Sequence, residues 1–188
     1  MEIILASSSE RRIELMSQLG FDFKVIPSNA NEFVKSYNSP EDLVMQLAQI
    51  KGESIFNEHK DDLVLGFDTL VFCDGEVLGK PQSEEDCVRM IKLLKNNKHL
   101  VVTGAYIKAK DYEESFFTEC YVHMMDISEE EIIKYAKTKE PYDKAGGYAI
   151  QGFIGRFIDR VDGDFFTVVG FPKAAVYERI CNYLRNKK

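Results

Sequence analysis

The chain has 188 residues, 45% hydrophobic and 29% charged, enough for one large domain or two intimately joined lobes around a real core. A net charge of −7 argues against a protein that coats nucleic acid or lies on a membrane surface. It leaves room for a small anionic ligand, because screening over roughly 8 Å lets a local group of Arg and Lys outweigh distant carboxylates. Cys73, Cys87, Cys120 and Cys181 form no CxxC pair, and no two of His59, His99 and His123 have metal-ligand spacing. This pattern fits reduced thiols in a cytoplasmic protein rather than a disulfide frame or a zinc site. No apolar run is long enough for a signal sequence or a membrane span.

In chain order, residues 2–6 read as a short buried strand, followed by the Ser7-Ser8-Ser9 loop and a helix over 10–19 that stops at Gly20. Residues 21–26 alternate as a half-buried strand. After a polar loop, Ser39-Pro40-Glu41 supplies a cap, a first-turn proline and an acidic first turn for a helix reaching about residue 56. Residues 63–72 form an apolar central strand, and Asp74-Gly75 marks a hairpin. Ser83-Glu84-Glu85-Asp86 opens the next helix. Strand patterns follow over 99–109 and 115–125, joined by a charged turn, then a helix over 128–138. A Gly-rich stretch, residues 143–152, precedes two expected strands, 153–161 and 165–171, split by Asp162-Gly163; Pro172 starts the last helix. Strands and helices are mixed, and no repeat or linker interrupts them. The expectation is a single α/β domain over 1–188 with a mixed, elongated sheet and flanking helices.

Asp68 lies inside the apolar central strand, where an ionised carboxylate is costly unless cations, hydrogen bonds or a metal compensate it. That reads as an active-site carboxylate at a strand end; the alternative is a turn cap or a simple pair with one Lys. Arg11 and Arg12 occupy the first turn of a helix, where the dipole disfavours cations. With the preceding hydroxyls and free N–H groups they suit a docked phosphate, the alternative being two solvated arginines. The glycines and Lys-Ser/Thr pair of a Walker loop are missing. Lys51 sits near the centre of an apolar stripe of Leu43, Val44, Leu47, Ala48, Ile50 and Ile55, either snorkelling out or pointing at a bound phosphate. Lys80, between Gly79 and Pro81, has a stiffened backbone. Glu32 is a loop carboxylate that, beside Asp68, could complete a two-carboxylate magnesium site. Gln151 offers the donor and acceptor that match the edge of uracil or thymine, the alternative being an ordinary Gly-rich loop with an incidental Gln. His99, at a strand start, reads as structural.

The segments Leu5-Ala6-Ser7-Ser8-Ser9-Glu10-Arg11-Arg12, Gly66-Phe67-Asp68-Thr69-Leu70-Val71, Leu78-Gly79-Lys80-Pro81, residues 99–104, residues 143–152 and Val169-Gly170-Phe171-Pro172 run in one order over nearly the whole chain. Each is weak alone, but the ordered set closely resembles the Maf family of nucleoside triphosphate pyrophosphatases. The resemblance implies a two-lobed fold related to the inosine triphosphate pyrophosphatases, with a nucleotide cleft between lobes. It implies hydrolysis between the α- and β-phosphates with a divalent metal, Mg²⁺ or Mn²⁺, in the branch acting on dTTP and UTP. Asp68 would then be the proton acceptor and, with Glu32, a metal ligand. Ser8, Arg12, Lys51 and Lys80 would hold the triphosphate, and Arg11, Thr69 and Gln151 would select the base. A homodimer is compatible with it; nucleic-acid and membrane partners are not expected. House-cleaning of modified nucleotides, or nucleotide sensing linked to septum formation, are the alternative roles. Two departures stand out: Glu10 replaces the usual proline, and Asn31 replaces the first of an acidic pair, leaving Glu32 alone.

Overall fold

The computed structural model describes residues 1–187. Its strands are β1 (Ile3–Leu5), β2 (Lys24–Val25), β3 (Leu63–Cys73), β4 (Glu76–Leu78), β5 (Asn97–Ala109), β6 (Tyr112–Met124) and β7 (Ile158–Gly163). They join in one sheet of order β2-β1-β3-β5-β6-β7, with β4 on β3. The sheet is mixed: β1 runs parallel to β2 and β3, whereas β3–β4 and β6–β7 are antiparallel. The helices are α1 (Glu10–Ser17), α2 (Pro40–Phe56), α3 (Glu84–Leu94), α4 (Glu129–Ala136), α5 (Phe165–Val169) and α6 (Lys173–Asn186). Two compact units share the chain. The first holds Met1–Asp68, Thr103–Thr118 and the chain from Gly170 onward; the second holds Thr69–Val102 and Glu119–Val169.

In the first unit α2 begins where its sequence signals it, with the Ser39 hydroxyl accepting the Asp42 N–H at 3.2 Å and Pro40 in the first turn. Its buried face, Leu43, Val44, Leu47 and Ala48, meets the strands unusually closely. A Cβ on Gly66 of β3 would lie 2.3 Å from the Ala48 carbonyl oxygen, and one on Gly104 of β5 2.4 Å from that of Val44. Helix backbone therefore seats directly on strand backbone, and Asp68, two residues after Gly66, projects from the same face of β3. Gly66→Ala must lift the helix. Chemical denaturation is expected to show a loss of about 3 kcal/mol, and a variant of unchanged midpoint would contradict this seating.

The second unit packs α3 and α4, each opened by a serine cap, around Val71, Leu78, Ile91, Leu94, Val122, Ile132 and Tyr135. His99 belongs to this core: it is 1% exposed, its Nε2 lies 2.6 Å from the Tyr148 hydroxyl, and burial pushes its imidazole down to about 4. It is neutral at physiological pH.

Three expected strand segments differ. Residues 21–26 pair only at Lys24–Val25, and both are exposed. Phe153–Phe157 forms a 3₁₀ turn before β7. The run Phe165–Val169 is helical although β-branched and aromatic residues favour strand. Local capping wins there: Asp164 Oδ1 accepts the Phe166 N–H at 3.0 Å and its carbonyl accepts that of Thr167 at 3.0 Å.

Candidate active site

The first unit gathers four of the sequence-selected residues because β1 is shorter than its neighbour. The two strands pair up to Leu5 and Leu65, and Ala6 N–H closes on the Leu65 carbonyl at 2.8 Å. The chain then turns away through Ser7–Ser9 into α1 while β3 continues. The Phe67 carbonyl, past the end of β1, is taken by Arg12, whose Nη1 donates to it at 3.1 Å and whose Nε donates to the Gly170 carbonyl at 2.8 Å. Ser7, buried, accepts from Arg12 at 3.4 Å and from the Ser9 N–H at 3.2 Å, so it shapes the loop that presents the exposed Ser8. Desolvation draws the Arg12 guanidinium down to about 10, Asp68 resisting and Arg11 adding to the shift; it stays protonated at neutral pH. Arg12 is thus a fixed cation beside Asp68, not a solvated one. Arg11 is half-buried, and Glu10 is exposed in the first turn of α1, where its charge suits the helix dipole.

Asp68 is 7% exposed. It stands within β3, not at that strand's own end; what ends nearby is β1. Lys51, on the buried side of α2, bonds its ammonium to Asp68 Oδ1 and to Glu32 Oε2, the latter at 3.0 Å. Glu32 reaches this position because its loop is tethered to α2: the Ser28 and Ser54 hydroxyls are 2.8 Å apart, Ser28 also accepts the Ala30 N–H at 3.2 Å, and Ser54 donates to the Lys51 carbonyl at 2.8 Å. Burial pushes the Asp68 carboxyl above its ordinary range; Lys51 and then Arg12 pull it back, and Glu32 adds to the rise. The site is a buried acid whose charge two cations offset.

In the second unit the backbone of the Lys80 turn and of the Gly-rich loop interlock. Gly79 accepts the Gly146 N–H at 2.9 Å. Gly146 and Gly147 have φ of +68° and +72°, and a Cβ on either would stand 3.0 Å from Val71 or Pro81. Lys80 and Gln151 are exposed, and Thr69 is half-buried in β3. The sequence marks Ser7 only as one of three hydroxyls before α1, and it carries no sign of the Ser28–Ser54 tether or of the Phe67 and Gly170 carbonyls. Carbonyls have no side-chain signature; Gly170, with φ of +95°, left one signal in its residue type.

Asp68 and Glu32 bring hard carboxylate oxygens to one ammonium, so the first unit has converged two acids on a single cation. That donor set fits Mg²⁺ or Mn²⁺ where substrate phosphates complete the coordination. Among the described residues no group of three or more His, Cys, Asp and Glu could hold a metal unaided. No helix among them is long and apolar enough to cross a membrane.

The arrangement defines a mixed α/β protein with a buried acid–cation centre, and the fold has a solved counterpart. The Staphylococcus aureus Ham1 protein matches over 100% of both chains with a TM-score of 0.59, at 15% sequence identity. At the level of sequence, the family model described as Maf-like protein matches residues 2–183, and the chain belongs to that family. A dTTP/UTP pyrophosphatase of Caldicellulosiruptor bescii is 45% identical over 176 residues, covering 90% of this chain and 88% of its own. One of Bacillus cereus is 42% identical over 171 residues, covering 91% and 90%.

Proposed function

We propose that this protein is a nucleoside triphosphate pyrophosphatase, acting on dTTP and UTP to release the nucleoside monophosphate and pyrophosphate. The observation that carries the reading is Asp68: a buried carboxylate raised by desolvation, bonded to Lys51 and flanked by Arg12. The names of the relatives supply the substrate. Asp68 takes the proton of the attacking water, for which a carboxylate made more basic by burial is better suited than a solvated one. Ser8, Arg12, Lys51 and Lys80 bind the triphosphate, and the cations stabilise charge growing on the α-phosphate and the leaving pyrophosphate. Arg11, Thr69 and Gln151 select the base. A divalent cation held by Asp68 and Glu32 would supply further neutralisation of that charge. The same reading places a small-nucleotide enzyme in the cytoplasm, with no nucleic-acid or membrane partner and with room for a homodimer.

Purified protein offered dTTP, UTP, ATP and GTP with Mg²⁺ is expected to release pyrophosphate fastest from the first two. Equal rates on all four would overturn the base assignment. Tight dTTP binding with no turnover would reverse the enzyme assignment in favour of a nucleotide sensor.

A further inference from the structure

The loop carrying Gln151 is held by a carboxylate that sequence reading gave no role. Glu140 follows α4 on a 3₁₀ turn, Glu140–Asp143, and its Oε1 accepts the Phe153 N–H at 3.1 Å. The Tyr135 hydroxyl lies 3.4 Å from the same oxygen and donates to the Gly147 carbonyl at 3.0 Å. Tyr135 also stacks on the Phe153 ring, with centroids 5.6 Å apart and planes 17° from parallel. Both flanks of Gln151, at Gly147 and at Phe153, are therefore tied to one Tyr–Glu pair.

Gly152 shows how closely the carboxylate fits. Its φ of −100° and ψ of −159° are open to any residue, so conformation does not call for glycine. The neighbour does: a Cβ there would stand 1.9 Å from Glu140 Oε1 and 2.7 Å from its Cδ. The glycine after Gln151 leaves space for the acid that holds the next amide.

We propose that Glu140 is a positioning residue for base selection, fixing the backbone directly after Gln151 and so the direction of its amide. This rests on Gln151 reading the base. A carboxylate bonded to a backbone amide is a strong, directional tether, and an exposed specificity side chain two residues before that amide inherits that precision.

The test is the ratio of kcat/KM for dTTP to that for ATP in wild type, Glu140→Ala, Glu140→Gln, Gly152→Ala and Glu140→Ala/Gly152→Ala. The ratio does not depend on how much of a preparation is folded, so mere destabilisation leaves it unchanged. We expect it to fall about tenfold in Glu140→Ala, mainly through KM for dTTP. Glu140→Gln, whose amide oxygen still accepts the Phe153 N–H, should recover most of it. Gly152→Ala should match Glu140→Ala by displacing the carboxylate, and the double variant should be no worse than either single one. Should Glu140→Ala prove insoluble, Gly152→Ala carries the test alone. A selective wild type with an unchanged ratio in Glu140→Ala, or in Gly152→Ala when it stands alone, overturns this proposal only. A wild type that hydrolyses dTTP and ATP equally overturns the base reading and this proposal with it.

Discussion

Asp68→Asn is expected to lower pyrophosphate release from dTTP by about 10³-fold while leaving dTTP binding in place. Asn keeps the shape of the side chain and its place in β3 but cannot accept a proton from water. The fold should survive the change. The Asp68 carboxyl is raised in the folded state, so the stability linked to it is fully present below its unfolded pKa and is lost as pH rises from there through the folded value. The Asn substitution removes that cost together with one partner of the Lys51 ammonium, which keeps Glu32, so only a small change in melting temperature is expected. Calorimetric titration with dTTP, run beside a pyrophosphate assay and a melting curve, separates these statements. Near-wild-type turnover would remove Asp68 from the mechanism.

Lys51→Met should have the second-largest effect, about 10²-fold or more on kcat/KM at neutral pH. The Met side chain preserves much of the stem that packs along α2 but deletes the ammonium shared by Asp68 and Glu32. Two consequences run in the same direction. The triphosphate loses a cation, and Asp68 loses the strongest of the influences that pull its carboxyl down, leaving desolvation and Glu32 to push it up. More of the base is then protonated at neutral pH. Part of the lost rate should return at higher pH, a recovery that simple loss of phosphate binding does not produce.

Much of this site was legible in the residues. Asp68 stood out because an acid in an apolar strand is an energetic anomaly, and Lys51 because it interrupts an apolar stripe; the first unit joins the two. Arg11 and Arg12 were paired as phosphate ligands, yet the fold uses Arg12 partly to close the Phe67 and Gly170 carbonyls. That role follows from where β1 stops, a tertiary fact with no local pattern. The cap at Ser39 and the helix opening at Ser83 are legible in sequence because capping is a local affair of a few residues. The strand expected over residues 165–171 failed because one Asp at 164 outweighed five strand-favouring residues. Gly66 and Gly104 were visible only as members of motifs; that they let α2 rest on the sheet became clear from the distances a Cβ would meet.

The most direct measurement is the pH dependence of kcat/KM for dTTP in wild type and Lys51→Met. The acid limb, where the general base gains its proton, should move to higher pH in the variant, because the ammonium is the main influence holding the Asp68 carboxyl down. An acid limb that stays at the same pH when the ammonium is deleted would contradict a buried, cation-balanced Asp68 as the proton acceptor.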